Sequence, residues 1–395
     1  MNKRILYAFS GVMVLLMSGM VYAWSVFSSA IGAEFPSWSK ASLSLTFTLV
    51  MVFFCLGGLI GGFLAEKIRP GYYVWAAALL FLTGFTVASR ASSPLALYIG
   101  FGLLCGLGSG LSYNGVMSSV SKWFPESQGL ISGILLMGFG LSSFIVGKVF
   151  QSLSSVHSWR WTFQIFGIVS AAVFILFAFF IKRPEGVAGK SGVKKDGGKE
   201  YTPSEMVRMP TFYLFFVWAF LMSAAGLALV SQASGIVGAA VEVSPSAVAT
   251  LAGLISIANG LGRVGFGIVY DRKGGNVVML AIDGFFVLSA LLLFAAINAH
   301  SLILLVAGFV VGGFGYGGIT CANSAYISAT FGQKNYPRNF SIINMNLLVA
   351  SFGSTIAGSL LDGTGTYLSI SYMMLVLAAA GILLTLGIIK VKGRG

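Results

Sequence analysis

Long apolar runs recur along the whole chain, and they restrict its fold more than any other feature. Of the 395 residues, 57% are hydrophobic and 9% are charged, which is too few charges to cover a soluble protein. A helical run of about 20 apolar residues matches the thickness of the hydrocarbon core of a bilayer. The sequence therefore predicts an all-α membrane protein with twelve transmembrane helices, at approximately residues 5–29, 41–64, 71–89, 95–120, 128–151, 160–181, 211–232, 245–270, 276–298, 301–330, 338–361 and 367–389.

The distribution of basic residues predicts the orientation of these spans. Of the 24 Lys and Arg residues, 19 fall in the N-terminus, the even-numbered loops and the C-terminus, three in the odd-numbered loops and two inside spans. By the positive-inside rule, both termini are expected on the cytoplasmic side of the cell membrane, the inner membrane if the source is bacterial. Topology thus accounts for the net charge of +13, and nucleic-acid binding is excluded. The first span is too long for the core of a signal peptide and is expected to remain in the mature protein.

Internal similarity divides the chain into two halves. The sequence GGFLAEKIRPG after the second span is matched by GIVYDRKGG after the eighth, and the fourth and tenth spans share clusters of glycines. Two parallel six-helix repeats explain this pattern. We therefore expect residues 1–181 and 211–395 to form two six-helix bundles. The Gly- and Lys-rich stretch at residues 182–210 is expected to be a flexible cytoplasmic linker.

One charge lies well inside a predicted span. Arg263 stands in the eighth span, within the stretch NGLGRVGFGIVY. A guanidinium keeps its proton at any biological pH, and placing it in hydrocarbon costs roughly 2.5 to 3.5 kcal/mol even on insertion-based scales. Asn259 shares its helical face but carries no charge, and the next carboxylate, Asp271, comes only at the end of the helix. We therefore expect Arg263 to bind an anion; the alternatives are snorkelling and a carboxylate on another helix.

Several segments resemble the major facilitator superfamily. The loop sequences AEKIRPG and YDRKGG resemble the acidic-basic motif of that superfamily. The first-span YAWSVF, the KWFP segment before the fifth span and NGLGRVGFG in the eighth resemble the oxalate/formate antiporter group and its relatives, the monocarboxylate transporters. The resemblance implies the major facilitator fold. The motif residues stand where cytoplasmic helix ends meet, so a gating role is expected for Glu66, Lys67, Asp271 and Arg272.

Two departures from these relatives bear on the substrate. Mammalian monocarboxylate transporters have an aspartate where this chain has Asn259 and a first-span lysine where it has Val26, so their proposed proton-relay groups are absent. The oxalate antiporter has a lysine in the eleventh span, where the stretch INMNLLVASFGSTIAG offers only Ser351 and its neighbours. With Arg263 as the one cationic group, a dianion would leave unbalanced negative charge in a low-dielectric cavity. A monoanionic substrate is therefore expected.

The remaining candidate contacts lie in spans that the resemblance places on the central cavity. Buried tyrosine hydroxyls need partners, which a carboxylate, a hydroxy acid or a neighbouring helix can supply. Besides Arg263 and Asn259, the predicted substrate-binding residues are Tyr22, Trp24, Tyr113, Asn114, Tyr316 and Ser351. Tyr22 and Trp24 cannot share a face at about 100° per residue, so one of the two is expected to be a packing residue. Asn323, in the tenth span, is a weaker candidate.

Other ionisable residues are given no substrate role. Lys148 is expected to snorkel to water, and His157 and His300 fall in external loops. Asp283 is the only acid well inside a span, and we expect it to pair with a loop Lys or Arg near the cytoplasmic face. The three cysteines fall in apolar runs, and no metal site, nucleotide loop or nucleophile-base pair is found. Neither enzymatic activity nor a cofactor is expected.

These observations favour a secondary active transporter of small organic monocarboxylates such as lactate or pyruvate, coupled to protons and working by alternating access. An oxalate/formate-type carboxylate antiporter is the alternative within transport. A membrane anion sensor with a transporter fold is less favoured, because the linker lacks an output domain. The expected partners are the organic anion, protons and the lipid bilayer, and the chain is expected to act as a monomer.

Overall fold

The computed structural model describes residues 3–64, 68–124, 128–183, 200–332 and 335–392. Within these ranges the chain is helical and contains no β-strand. Twelve of the described helical stretches are long and apolar enough to cross a membrane. The predicted class, an all-α membrane protein with twelve spans, is confirmed. Helices are the form that such runs take because a backbone in hydrocarbon must satisfy its hydrogen bonds within the segment.

Packing separates the helices into two compact units, and the first unit holds spans 1 to 6. Span 1 consists of two helices joined by a 3-10 turn at Gly19–Ala23, and a π-helical stretch at Tyr98–Cys105 interrupts span 4. The helices of this unit are α1 (Lys3–Ser18), α2 (Trp24–Glu34), α3 (Lys40–Leu64), α4 (Pro70–Ser89), α5 (Pro94–Leu97), α6 (Gly106–Val120), α7 (Gln128–Val156) and α8 (Trp159–Ala178).

The second unit holds a short helix before span 7 and most of spans 7 to 12. Span 11 is divided into three helices, with breaks at Met345 and Ser351. The helices from here on are α9 (Pro203–Met206), α10 (Pro210–Ala240), α11 (Pro245–Lys273), α12 (Gly275–Ala299), α13 (Leu302–Phe331), α14 (Tyr336–Asn344), α15 (Asn346–Ala350), α16 (Phe352–Thr364) and α17 (Leu368–Lys392).

Helix α11 contributes to both units. Residues Val243–Ser256 group with the first unit, where a Cβ on Gly253 would come within 2.8 Å of the Phe144 ring of α7. The rest of α11 groups with the second unit, where a Cβ on Gly317 of α13 would collide with the backbone oxygen of Asn259. The sequence-based division assigns all of residues 211–395 to the second bundle. By packing, the start of α11 belongs to the first unit instead.

Small residues allow close contacts between helices of the first unit. Gly57 of α3 and Gly110 of α6 lie where these helices cross, and a Cβ on either would collide with a backbone oxygen of the other helix. The hydroxyls of Ser18 and Ser112 are 2.6 Å apart and join α1 to α6. Close packing and inter-helix hydrogen bonds of this kind hold helices together in lipid, where no hydrophobic drive acts between them.

The last part of the linker is folded, unlike the flexible tether that its composition indicates. Thr202 and Glu205 form a capping box at the start of α9. The backbone N–H of Tyr201 donates to the Phe331 oxygen at 3.1 Å, and the Asn339 side chain donates to the Tyr201 oxygen at 3.1 Å. These bonds attach the linker end to the ends of α13 and α14; residues 184–199 of the linker lie outside the described residues.

Candidate functional site

The guanidinium of Arg263 is half-buried on α11 and only partly satisfied. Its Nε donates a hydrogen bond of 3.1 Å to Oδ1 of Asn259, which lies one turn earlier on the same face. In the part of the chain that the structure describes, Nη1 of Arg263 is buried and has no hydrogen-bond partner. A charged donor in that state is costly unless an anion satisfies it. This pair is the strongest candidate for an anion site.

Glycines bring α13 directly against the Arg263–Asn259 pair. A Cβ on Gly317 would lie 3.0 Å from the backbone nitrogen of Arg263, besides colliding with Asn259. A Cβ on Gly262 of α11 would collide with the backbone oxygen of Phe314. Only residues without a side chain permit this approach, so the glycines predicted for packing in the tenth span fix the position of α13 relative to the arginine.

Tyr316 and Asn323 are the polar side chains that α13 buries near this level. Tyr316 is 6% exposed, and its ring covers Gly226 of α10, where a Cβ would lie 2.7 Å from Cγ of the ring. Asn323 is 3% exposed, and among the described residues its Oδ1 has no hydrogen-bond partner. Of the two, Asn323 is the weaker candidate from sequence, because an asparagine in a Gly-rich helix also serves packing.

The first unit has an aromatic cluster that contains two of the predicted residues. The Tyr22 ring lies edge-on to Phe139 at 5.5 Å, and the Tyr113 ring lies edge-on to the same Phe139 at 5.4 Å. Phe54 is 5.3 Å from Tyr113. These edge-to-face geometries are favourable for aromatic pairs. They bring Tyr22 of span 1 and Tyr113 of span 4 onto the same residue of α7.

Two other predicted residues of the first unit have partners in neighbouring helices. The Asn114 side chain donates a hydrogen bond of 2.9 Å to the backbone oxygen of Gly58 in α3. Trp24 is 1% exposed and stacks on Phe101 at 5.2 Å. These contacts link helices of the bundle, which is the packing alternative that the sequence left open for both positions.

Ser351 lies at the second break of span 11. It is buried, and its hydroxyl donates to the Leu348 oxygen at 2.6 Å. At the first break, the Asn346 side chain accepts a hydrogen bond of 3.1 Å from Ser223 of α10. The Asn346 amide also donates to the Ile343 oxygen at 2.6 Å, so both residues satisfy backbone oxygens that a broken helix exposes inside a membrane. Asn346 was not singled out from the sequence, although the letters INMN mark a polar residue in mid-span.

The predicted gating residues are described only in part. Glu66 and Lys67 lie outside the described residues, and Asp271 lies in α11 with a side chain that is also outside the description. Arg272 is exposed in the last turn of α11. A basic residue at a helix C-terminus interacts favourably with the helix dipole.

The expected pairing of Asp283 with a loop Lys or Arg is wrong. The carboxyl group is fully buried and accepts hydrogen bonds from Trp218 of α10 and Thr385 of α17, because its position on α12 faces these helices instead of the membrane surface.

Lys148 is exposed and lies 5.1 Å from the centre of the Phe144 ring. Nδ1 of His300 lies 3.3 Å from the Ala240 oxygen, at the end of α10.

Comparisons with known proteins agree with this arrangement. The sequence model of the Major Facilitator Superfamily matches residues 7–234 and 219–394. The oxalate:formate antiporter of Oxalobacter formigenes is 26% identical over 370 residues, which cover 92% of this chain and 87% of the relative. Monocarboxylate transporter 13 of Rattus norvegicus is 25% identical over 384 residues, which cover 94% of this chain and 86% of the relative.

A solved structure shows the same fold. The crystal structure of the nucleoside transporter NupG matches this chain with a TM-score of 0.75 over 99% of each chain, at 13% sequence identity. At that identity the likeness concerns the arrangement of helices and not the substrate. Because the family's sequence model covers both halves and twelve described helices are able to span a membrane, the chain belongs to the major facilitator superfamily, a family of transporters.

Proposed function

We propose that the protein is a secondary active transporter of small organic monocarboxylates such as lactate or pyruvate, and that Arg263 binds the carboxylate. The observation that carries this proposal is the buried Nη1 without a partner beside an Nε held by Asn259. With Nε engaged, the Nη1 and Nη2 edge of the guanidinium remains for the ligand. That edge presents two parallel N–H groups, which match the two oxygens of a carboxylate.

The charge of the site favours a monoanion. Asn259 fixes the guanidinium without adding charge. In the interior of spans 7 to 12, away from their first and last residues, Arg263 is the only Lys or Arg in the sequence. One carboxylate balances one guanidinium, whereas a dianion would bring an uncompensated charge into a medium of low dielectric constant.

Relatives with carboxylate substrates support the class of substrate. The two relatives described above carry names that specify oxalate, formate and monocarboxylates.

Coupling of uptake to protons is part of the proposal. Antiport of the oxalate:formate kind is the second candidate, and the similarity to that antiporter over nearly the whole chain favours it. An anion sensor is the third, and no described contact favours it over transport.

We retain the other predicted contacts as parts of the proposal, with different weights. Tyr316 lies one residue from Gly317, which packs on the arginine pair, and is therefore proposed as a substrate contact. Tyr22 and Tyr113 are proposed contacts of the first unit, and Ser351 one of span 11. Asn114 and Trp24 have interhelical contacts that account for them without a ligand.

We also propose that Glu66, Lys67, Asp271 and Arg272 take part in gating at the cytoplasmic helix ends. In this proposal both termini face the cytoplasm, the protein resides in the cell membrane and a monomer is sufficient for transport. Asp271→Asn should then slow turnover of the carrier while changing equilibrium substrate affinity little. A large loss of affinity, with an unchanged population of open states, would contradict gating.

Uptake by proteoliposomes tests the substrate site. Purified protein is reconstituted, and uptake of labelled lactate is compared between the wild type, Arg263→Lys and the matched control Arg90→Lys, which alters an exposed arginine in a loop. Arg263→Lys should lose most uptake, because an ammonium is a point charge on a different stem. Near-normal uptake by this variant at equal protein abundance would refute the proposed role of Arg263.

The same vesicles separate the two transport candidates. Vesicles loaded with formate or oxalate should show faster lactate uptake than empty vesicles if exchange is obligatory. An imposed pH gradient should drive uptake into empty vesicles if transport is coupled to protons. A carrier that responds to the loaded anion and not to the gradient would be an antiporter.

A further inference from the structure

Asp283 is a buried carboxylic acid at the meeting point of three helices of the second unit. It lies on α12 with no exposed surface. Its Oδ1 accepts a hydrogen bond of 2.8 Å from Nε1 of Trp218 on α10, and its Oδ2 lies 2.7 Å from the hydroxyl of Thr385 on α17. Gly381, one turn before Thr385, makes room for the group, because a Cβ there would lie 2.8 Å from Oδ1.

The helices packed against α12 supply no cation to this carboxyl. Helices α10 and α13 contain no Asp, Glu, Lys, Arg or His. Helix α17 contains basic residues only at its end; Lys390 is exposed, and the side chain of Lys392 lies outside the description. Helix α11 touches α12 through Phe266 and Phe285, and Phe285 lies about 200° around α12 from Asp283.

The uncharged titratable groups of these helices are also accounted for. Tyr213 and Tyr372 are exposed on the surface of the unit. On α13, Tyr316 covers Gly226, and the Tyr326 ring stacks on Phe215 at 3.7 Å. The remaining titratable group on α13 is Cys321, which lies against Gly267 of α11. Within the described residues, the hydrogen-bond partners of the carboxyl are therefore two neutral groups, an indole N–H and a hydroxyl.

The two partners accommodate a protonated acid without rearrangement. An indole N–H can only donate, so Oδ1 of Asp283 must accept. A threonine hydroxyl can donate or accept, so Oδ2 can carry the proton and donate it to Thr385. An ionised carboxylate in the same place would be desolvated with no counter-ion, a state whose cost groups in proteins avoid by becoming neutral.

We propose that Asp283 is a proton-binding site of the carrier, with its proton shared between Oδ2 and the Thr385 hydroxyl, and that its protonation makes transport pH-dependent. Loss of the proton to water makes the hydrogen bond from Trp218 charge-assisted but leaves a carboxylate without a counter-ion. That carboxylate must recruit water or more donors, so α10 and α17 have to shift around it. Trp218 lies two turns before Gly226 on α10, where Tyr316 packs. Helix α10 therefore connects this proton site to the proposed substrate site.

Infrared spectroscopy of the purified full chain tests the protonation state directly. The spectrum of the wild type minus that of Asp283→Asn at neutral pH should contain the C=O stretch of a protonated carboxylic acid. Thr385→Val should shift that band, because the acid loses its acceptor. The matched control Ser289→Ala removes a buried hydrogen bond from α12 to the Gly308 oxygen and should leave the band in place.

Carboxylate bands in the difference spectrum, in place of the acid band, would overturn the proposal. If Asp283→Asn does not fold, Asp283→Glu provides the comparison, since a longer acid should keep an acid band at a shifted frequency. If the acid band of Asp283→Glu has the same frequency as that of the wild type, the band arises from another group, and the assignment to Asp283 is refuted.

The link to transport rests on the proposed function, and its test keeps the two claims apart. Lactate uptake is measured with and without an imposed pH gradient. In Asp283→Asn, the uptake rate with the gradient should equal the rate without it. In Ser289→Ala, the gradient should accelerate uptake as it does in the wild type. A preserved acceleration would refute the pH role of Asp283. Failure of the substrate proposal would appear differently, as normal uptake by Arg263→Lys with the acid band of Asp283 unchanged.

Discussion

Asn259 and Arg263 form a neutral-cationic pair on α11, in which Oδ1 of the amide accepts a 3.1 Å hydrogen bond from Nε of the guanidinium. The amide orients the arginine and leaves its positive charge intact. A carboxylate in the same position would orient the arginine equally well but would neutralise it. If Arg263 binds the substrate as proposed, the chemical identity of residue 259 helps to determine which substrate charge the site accepts.

Asn259→Ala should weaken substrate binding while leaving the charge of the site unchanged. A hydrogen bond to a charged group contributes about 1.5 to 3 kcal/mol, so KM for the monocarboxylate should rise about tenfold or more. The measurement is the concentration dependence of lactate uptake. The control is Asn298→Ala, which removes an exposed amide that bonds only within its own helix. An unchanged KM would show that the amide does not position the guanidinium.

Asn259→Asp should change the pH dependence as well as the affinity. At neutral pH the new carboxylate would pair with Arg263, and the substrate anion would meet a site without net charge. Protonation of the aspartate restores the positive charge, so substrate binding should recover as the pH falls. Binding is measured as ligand-induced thermal stabilisation. A pH profile identical to that of the wild type would contradict the charge argument.

Gly317→Ala should destabilise the second unit. The added methyl would collide with the Asn259 oxygen and would lie 3.0 Å from the Arg263 nitrogen, so α13 and α11 would have to separate. Overpacking of this kind costs about 1 to 3 kcal/mol. Thermal unfolding of the purified protein should show a lower midpoint. Gly387→Ala is the matched control, because nothing lies within 4 Å of its Cβ position. A fall of equal size in both variants would point to a general effect of helix glycines.

Trp24→Ala should lower stability much more than Tyr22→Phe. Trp24 is buried against Phe101, and removal of a buried Trp side chain costs roughly 3 to 5 kcal/mol. Tyr22→Phe keeps the ring contact with Phe139 and removes only the hydroxyl. Thermal midpoints and lactate KM values are compared for the two variants. A stable Trp24→Ala protein with a raised KM would instead make Trp24 a substrate contact.

Glu205→Gln should loosen the folded end of the linker, and acid should do the same to the wild type. Hydrogen bonds from the backbone N–H and the hydroxyl of Thr202 hold the pKa of Glu205 below its usual value. A carboxyl group with a lowered folded-state pKa stabilises the segment above its unfolded pKa, and this contribution is lost as the pH falls through the folded pKa. The loss should therefore begin near pH 4, about the ordinary pKa of glutamate, and continue below it.

Hydrogen exchange of the segment around α9, corrected for the intrinsic effect of pH, measures this loosening. The control variant is Glu242→Gln, an exposed acid outside the linker. Exchange that is equally slow in Glu205→Gln and in the wild type would show that the capping box does not stabilise the segment.

The sequence alone determined the class of protein and the number of spans, and it singled out Arg263 as a charge that hydrocarbon disfavours. These follow from properties of single segments: the length of an apolar run against the thickness of a bilayer, and the cost of a permanent charge inside such a run. The bounds of most spans also followed, because Pro and polar residues mark the helix ends. The folded linker end was missed, since Tyr201 there forms hydrogen bonds with residues far along the chain.

Only the tertiary structure decided which neighbours the polar side chains meet. It placed the Asn114 amide on the Gly58 oxygen and Trp24 on Phe101, where the sequence left both packing and ligand contact open. It also gave Asp283 two neutral partners from α10 and α17 in place of the expected basic residue. The sequence could not supply these pairings, because the face that a helix turns to its neighbours depends on the packing of helices distant in the chain. In lipid, an apolar run carries little periodic pattern to reveal that face.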